Sequence, residues 1–111
     1  MAGQLKRIAG PAYLANAAAN IYTPAAATIY TVIRHIHLVN DSASAATFSL
    51  WVGITGGSAG GTELFASQSI AANSPYDYYC NLKMLSTDFL TGVASLATTI
   101  TITVEGEQYV V

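Results

Sequence analysis

Two histidines at positions 35 and 37 are the first candidates for chemistry in this sequence. Side chains two positions apart on a β-strand point the same way, so both imidazoles are expected on one face. Such a pair can bind zinc or copper, but a metal site needs a third or fourth ligand. The spacing of the carboxylates and of Cys80 singles out no further ligand, so we expect no metal and no cofactor. The alternative is a pair of sheet-face histidines that titrate near neutral pH.

Two carboxylates, Glu105 and Glu107, also alternate onto one face, in this case near the C-terminal end. The rise of a strand places them side by side, roughly 7 Å apart. A glycosidase needs its two carboxylates across a cleft from each other, and nothing here implies a cleft. We therefore interpret the pair as solvated or as facing a partner.

No nucleophile or phosphate motif has its full sequence context in this chain. Cys80 is the single cysteine, and its place in an alternating run favours a small core residue. The G-x-S-x-G spacing occurs once, around Ser58, but it lies within the glycine-rich loop over residues 55–62 and not at the strand-to-helix turn of a nucleophile elbow. The glycine-rich loop over residues 55–62 lacks the Lys-Ser or Lys-Thr of a phosphate loop and is more typical of a hairpin tip. We predict no catalytic residue and expect that the protein is not an enzyme.

The element that must carry the histidines, residues 28–41, has the strongest strand pattern of the chain because it is dense in β-branched and aromatic residues. Strict alternation predicts Tyr30, Val32, Arg34, Ile36 and Leu38 on one face, and Ile29, Thr31, Ile33, His35, His37 and Val39 on the other. Neither face is purely polar, which predicts a central strand.

Further strands are predicted over residues 46–54, 63–70, 76–84 and 98–111. In the last of these, Ile100, Ile102 and Val104 should face the core, and Gly106 is expected at a bulge or bend. Residues 86–88, before 89–94, indicate a capped helical turn or a crossover loop. No amphipathic helix of three turns is found. The pattern predicts an all-β, antiparallel β-sandwich or jelly-roll-like domain of six to eight strands.

Residues 1–27 differ in composition from the rest and are predicted to form an extended N-terminal arm ahead of a sandwich domain over residues 28–111. The arm is rich in Ala, Gly, Pro and Asn, with a short strand expected near residues 4–9 and an extended piece near 20–23. Its spaced apolar anchors could pack on its own domain or on a neighbouring molecule.

Charged residues make up 9 % of the 111 residues, against about 25 % in ordinary soluble proteins. Four scattered cations form no basic stripe, which excludes a nucleic-acid role. The apolar runs are broken by Pro and Asn or are too short, so neither a membrane span nor a signal peptide is predicted. So few charges indicate a surface that is partly covered by partner molecules.

The order of several short runs resembles a family of small virion proteins of tailed bacteriophages. These runs are residues 36–40, 46–53, the Thr-Gly-Gly loop at 55–57 with 63–65, then 71–74 and 99–106, and the resemblance covers residues 29–111. It implies a β-sandwich that oligomerises as a head decoration protein or a minor tail component, and it supplies no catalytic residue.

The leading hypothesis is thus a capsid decoration (cement) protein, made in the cytoplasm of the host bacterium and located in the virion. It would bind the major capsid protein or another virion protein as a homo-oligomer, with a trimer predicted. A minor tail or baseplate protein and a carbohydrate-binding module for host attachment are the alternatives. The residues predicted to contact partners are Leu5, Ile8, Tyr13, Tyr22, Trp51 and Tyr79.

Overall fold

Eight β-strands account for most of residues 3–25, 28–54 and 62–110, which the computed structural model describes. The strands are β1 (Gly3–Tyr13), β2 (Ala19–Tyr22), β3 (Thr28–Asn40), β4 (Ala46–Gly53), β5 (Glu63–Ile70), β6 (Ser74–Met84), β7 (Phe89–Ala94) and β8 (Ile100–Val110). These residues contain no helix that is long and apolar enough to cross a membrane. The loop predicted over residues 55–62 lies outside the described residues, except for Thr62.

The strands form two four-stranded sheets, in the order β1-β8-β3-β6 (sheet I) and β2-β7-β4-β5 (sheet II). Every paired strand runs antiparallel to its neighbour. Within the described residues, β4 and β5 are the only consecutive strands that pair with each other; the other connections cross between the sheets. This is the strand order of a jelly roll, and it confirms the predicted all-β antiparallel sandwich.

The core lies between the sheets and is built by side chains that alternate inward. β8 contributes Ile100, Ile102 and Val104, as its pattern predicts, and β4 contributes Phe48 and Leu50. The strand predicted over residues 46–54 ends one residue earlier than expected. β4 ends at Gly53, and Ile54 lies in a turn and is exposed.

Aromatic rings close the sandwich where the edge strands β5 and β6 meet. Phe65 packs edge-on against Tyr76 and Tyr78, with ring centroids 5.6 and 4.9 Å away, and Phe48 packs against Phe65 and Tyr76. Edge-to-face packing at these distances adds to the stabilisation from burial alone. Tyr76 and Tyr78 of β6 face inward and Tyr79 faces outward, in agreement with the alternation of residues 76–84.

The N-terminal segment belongs to the sandwich, so the boundary predicted at residue 28 does not separate an arm from a domain. β1 pairs with β8 from Gly3↔Tyr109 to Tyr13↔Thr101, and β2 pairs with β7. Leu14, between them, is buried, and its N–H donates to the Ile100 carbonyl at 2.8 Å. The extended pieces were predicted correctly. Ile8 and Tyr22 among their apolar anchors pack against the core, whereas Leu5 is exposed.

A strand also occupies residues 89–94, where a helical turn or crossover loop was predicted. β7 pairs with β4 from Phe48↔Ala94 to Gly53↔Phe89. The turn that precedes it is fixed by Asp88, whose carboxylate accepts the Leu85 N–H at 2.8 Å while its own N–H donates to the Leu85 carbonyl at 2.9 Å. The polar residues 86–88 therefore form a tight turn between strands.

Candidate functional site on the outer face of sheet I

An irregularity in β3 builds the polar face of sheet I. The register shifts between Ile33 and His35 against both neighbouring strands, so strict alternation stops there. Ile33 and Ile36 are both buried, and the two residues between them, Arg34 and His35, both bond to groups on the outer face. The faces predicted for β3 are therefore wrong beyond Arg34, because a β-bulge re-aims the side chains. The predicted central position of β3 is confirmed.

Gly106 of β8 lies opposite this bulge and permits it. A Cβ on residue 106 would lie 2.2 Å from the Val32 carbonyl oxygen. Any side chain would have to push the two central strands of sheet I apart. The bend or bulge predicted at Gly106 is thus found, but the irregular strand is its partner β3.

His35 and His37 share one carboxylate, that of Asp77 on β6. Asp77 Oδ1 lies 2.7 Å from His35 Nε2 and 2.6 Å from His37 Nδ1. The other ring nitrogen of His35, Nδ1, lies 3.1 Å from Glu105 Oε1 on β8. The expected common orientation of the two histidines is confirmed, and strands on both sides of β3 complete the cluster. We call His35, His37, Asp77 and Glu105 the histidine cluster.

Tyr79 fixes the plane of the His35 ring. The two rings are stacked with centroids 4.3 Å apart and planes inclined by 3°. Tyr79 is itself 73 % exposed, so its outer face is free for contact with another molecule. His35 is thereby held from three sides: by a stacked ring, by a carboxylate on β6 and by a carboxylate on β8.

A second polar network lies beside the histidine cluster and is centred on Arg34. Its guanidinium donates to Glu107 Oε1 at 2.6 and 2.9 Å and to the side-chain oxygen of Asn81 at 2.5 Å. The Tyr109 hydroxyl donates to the other oxygen of Glu107 at 2.7 Å. Glu105 and Glu107 therefore bind different side chains of β3, His35 and Arg34, where the sequence suggested a solvated or partner-facing pair.

The pKa values of the site follow from these contacts. Partial burial tends to lower the pKa of His35, but its bonds to Asp77 and Glu105 outweigh this and raise it above the ordinary value. Bonds from His37 and His35 lower the pKa of Asp77, and bonds from Tyr109 and Arg34 lower that of Glu107. With carboxylates at both ring nitrogens, His35 is well placed to carry a positive charge.

The six residues predicted to contact partners do not form one surface. Leu5 and Tyr79 are strongly exposed on sheet I, and Tyr13 is half exposed, with its hydroxyl donating to Asp41 at 2.6 Å. Ile8 packs against the core. Trp51 is half-buried on β4 in sheet II. As a set, the six residues remain a prediction.

Tyr22 has an internal role in the structure. Its ring packs against the core, and its hydroxyl bonds to the buried Thr31 at 2.8 Å and accepts from the Gln108 side chain at 2.9 Å. The Tyr22 hydroxyl therefore links β2 of sheet II to β3 and β8 of sheet I. Cys80 is similarly part of the interior face of β6, where burial raises the pKa of its thiol, as the core interpretation implies.

The charges of the molecule are distributed unequally over the two sheets. Sheet I carries both histidines and seven of the ten charged residues on its strands: Lys6, Arg7, Arg34, Asp77, Lys83, Glu105 and Glu107. Among the described strands of sheet II, the single charged residue is Glu63, at the first position of the edge strand β5. The two outer faces therefore differ in chemistry, one charged and one nearly neutral.

Comparison with solved structures identifies a protein of similar fold. No family model matches the chain, and no curated protein matches it. Among solved structures, the fold resembles a pentameric capsid protein from metagenomic phage sequences, with a TM-score of 0.31 and 23 % sequence identity. The similarity covers 88 % of this chain and 62 % of the phage protein, so the chain spans less than two thirds of that protein's length.

Proposed function

We propose that this chain is a non-enzymatic structural protein of a bacteriophage particle, and specifically a decoration protein that binds the outer surface of the capsid. The unequal distribution of charge over the two sheets carries the proposal. A neutral face against a partner and a charged face towards solvent reconcile a low total charge with solubility.

The outer face of sheet II has the composition of a protein interface. Alternation around the buried Phe48 and Leu50 turns Thr47, Ser49 and Trp51 outward, and Val93 lies opposite Ser49 on β7. Interface centres are depleted in charge and enriched in aromatic residues such as Trp. In the proposed assembly, this face lies on the capsid and the histidine cluster points away from it.

The fold agrees with the proposal without deciding it. Jelly rolls serve in viral capsids, in lectins and in enzymes, so the architecture alone selects no function. The resemblance of the strand sequences to small virion proteins of tailed phages supports a role in a virion. A homo-oligomer, with a trimer as its predicted form, and synthesis in the host bacterial cytoplasm are parts of the same proposal.

Binding to capsids tests which face is used. Thr47→Lys places a charge on the outer face of sheet II, and Thr101→Lys places the same charge on the outer face of sheet I. Purified variants are added to heads that have been stripped of the protein, and bound protein is measured after sedimentation. Burying one unpaired charge costs several kcal/mol, so Thr47→Lys should weaken binding at least about tenfold, while Thr101→Lys should not.

Three results would count against this assignment. Equal binding by both variants, or a loss with Thr101→Lys alone, would reject sheet II as the contact face. A failure of the unaltered protein to bind heads would reject decoration. Copy number in purified particles separates the alternatives, because a head-lattice protein is present in hundreds of copies and a tail component in few.

A further inference from the structure

We propose that the histidine cluster is a binding site for a divalent transition-metal ion, with zinc as the ion that its donor set fits best. The ligands are His35 Nε2, His37 Nδ1 and a carboxylate oxygen of Asp77. This site is independent of the proposed capsid contact, because it lies on the opposite sheet.

The three ligand atoms already converge. His35, His37 and Asp77 each offer one atom, and these atoms all lie within 4.8 Å of one another. Tetrahedral zinc with bonds of about 2.0–2.1 Å to nitrogen and oxygen sets its ligands about 3.3 Å apart. The Asp77 oxygen now lies 2.6 and 2.7 Å from the two nitrogens, so it needs to move by well under 1 Å from each. The two histidine nitrogens lie within 4.8 Å of each other, so a bound ion also draws them closer by up to about 1.5 Å.

Glu105 provides the support that a histidine ligand requires. Histidines that bind metal through one nitrogen generally donate the other N–H to a carboxylate, which fixes the tautomer and aims the lone pair. His35 Nδ1 lies 3.1 Å from Glu105, while Nε2 points towards Asp77. The stacked Tyr79 ring prevents His35 from turning away. Glu105 is therefore a positioning residue, and His35 is oriented for coordination before any ion arrives.

The donor set selects the class of ion. Two imidazoles and one carboxylate suit zinc and its neighbours, whereas calcium and magnesium prefer oxygen ligands throughout. Three protein ligands leave a fourth position open. The side chains of His37 and Asp77 are 38 % and 36 % exposed, so this position faces solvent and accepts water or a donor from another molecule.

Direct titration tests the site. Untagged protein is stripped with EDTA, and zinc binding is measured by calorimetry, with cobalt(II) as a spectroscopic probe of tetrahedral coordination. The expected result is one ion per chain. His37→Ala and Asp77→Asn each remove a ligand and should weaken binding at least about tenfold, and Glu105→Gln should weaken it by about 10-fold through loss of orientation.

Glu107→Gln is the matched control, since Glu107 lies two residues from Glu105 on the same outer face but bonds to Arg34 and Tyr109. Its affinity for zinc should stay within about twofold of the unaltered protein. Melting curves in EDTA establish that each variant is folded. The proposal fails if the unaltered protein binds no zinc or cobalt, or if His37→Ala and Asp77→Asn bind as tightly as Glu107→Gln.

Discussion

Replacing Gly106 by alanine tests the contact that shapes the charged face. The new Cβ would lie 2.2 Å from the Val32 carbonyl oxygen, whereas ordinary contacts begin near 3.4 Å. Because both atoms belong to central strands of sheet I, relief requires β8 and β3 to separate by about 1 Å. Overpacking of this kind costs about 1–3 kcal/mol. Among the described residues, the glycine with a positive φ angle is Gly10 and not Gly106. The cost of an alanine at position 106 therefore comes from lack of space alone.

Gly53→Ala is the matched control. There a Cβ would meet the Thr62 Cγ2 methyl at 3.3 Å, and a side-chain methyl can yield where a backbone carbonyl cannot. Urea unfolding followed by circular dichroism gives the free energy of unfolding of each variant. We expect a loss of about 2–3 kcal/mol for Gly106→Ala and less than about 1 kcal/mol for Gly53→Ala. At about 4–8 °C per kcal/mol, the first corresponds to a fall in Tm of roughly 10–20 °C.

The two variants also separate local from global effects. If Gly106→Ala and Gly53→Ala unfold within about 0.5 kcal/mol of each other, the close approach of β8 to β3 is refuted. If Gly106→Ala is destabilised but the NMR signals of the His35 and His37 rings are unchanged, the bulge does not depend on this glycine. The reasoning requires both the loss of stability and a shift of the imidazole signals.

Three further predictions follow from burial and charge. Phe48→Ala empties the centre of the core and should lower the free energy of unfolding by about 3–5 kcal/mol, measured in urea; a loss below 1 kcal/mol would contradict its place there. His35 faces Asp77, Glu105 and His37, and its pKa in the folded protein is raised above 6.5. In EDTA, protonated His35 therefore stabilises the fold below pH 6.5, and this stabilisation is lost as the pH rises through the raised pKa. The pKa of Asp77 is lowered in the folded protein, so ionised Asp77 stabilises the fold above pH 3.8, and this stabilisation is lost as the pH falls through the lowered pKa. Replacing His35 by Gln should remove the fall in Tm on the alkaline side of a plot of Tm against pH. Deleting residues 1–22 removes β1 and β2 and should abolish cooperative unfolding, whereas a detachable arm would leave the melting transition intact.

Strands with one buried face could be predicted from the sequence. Ile100, Ile102 and Val104 alternate with threonines, and their burial follows directly from the period of a strand. The faces of β6 were predicted equally well, because the inward-facing Tyr76 and Tyr78 alternate with outward-facing residues such as Asp77. In each case, one register buries the apolar side chains and the other exposes them, so the pattern has a single solution.

The bulge in β3 could not be predicted from the alternation of apolar and polar residues. Its sequence has apolar side chains on both faces, so burial does not select one register over the other. The shift is imposed by the two neighbouring strands and by the space at Gly106, and these contacts come from distant parts of the chain. A local pattern contains no signal for them.

For the same reason, the sequence predicted the orientation of the two histidines in the candidate site but not their carboxylate partners. The shared orientation of His35 and His37 is a local property of a strand, whereas their carboxylate partners lie elsewhere in the sequence. Asp77 is 42 residues from His35, and Glu105 is 70 residues away. The order β8-β3-β6 brings them together, and the order of strands in a sheet cannot be read from spacing. An antiparallel pairing of the two strands with the clearest sequence patterns, β3 and β8, was the one signal that could have pointed to Glu105.

The pairing of β1 with β8 has a consequence for how the chain is made. β1 leaves the ribosome before its sheet neighbour β8, which follows about 90 residues later in the sequence. At 5–20 residues per second, β1 waits roughly 5–20 s for its partner. An unpaired strand invites pairing with other nascent chains. Lys6, Arg7 and Pro11 interrupt β1 with charge and with a missing N–H, features that discourage such association until β8 arrives.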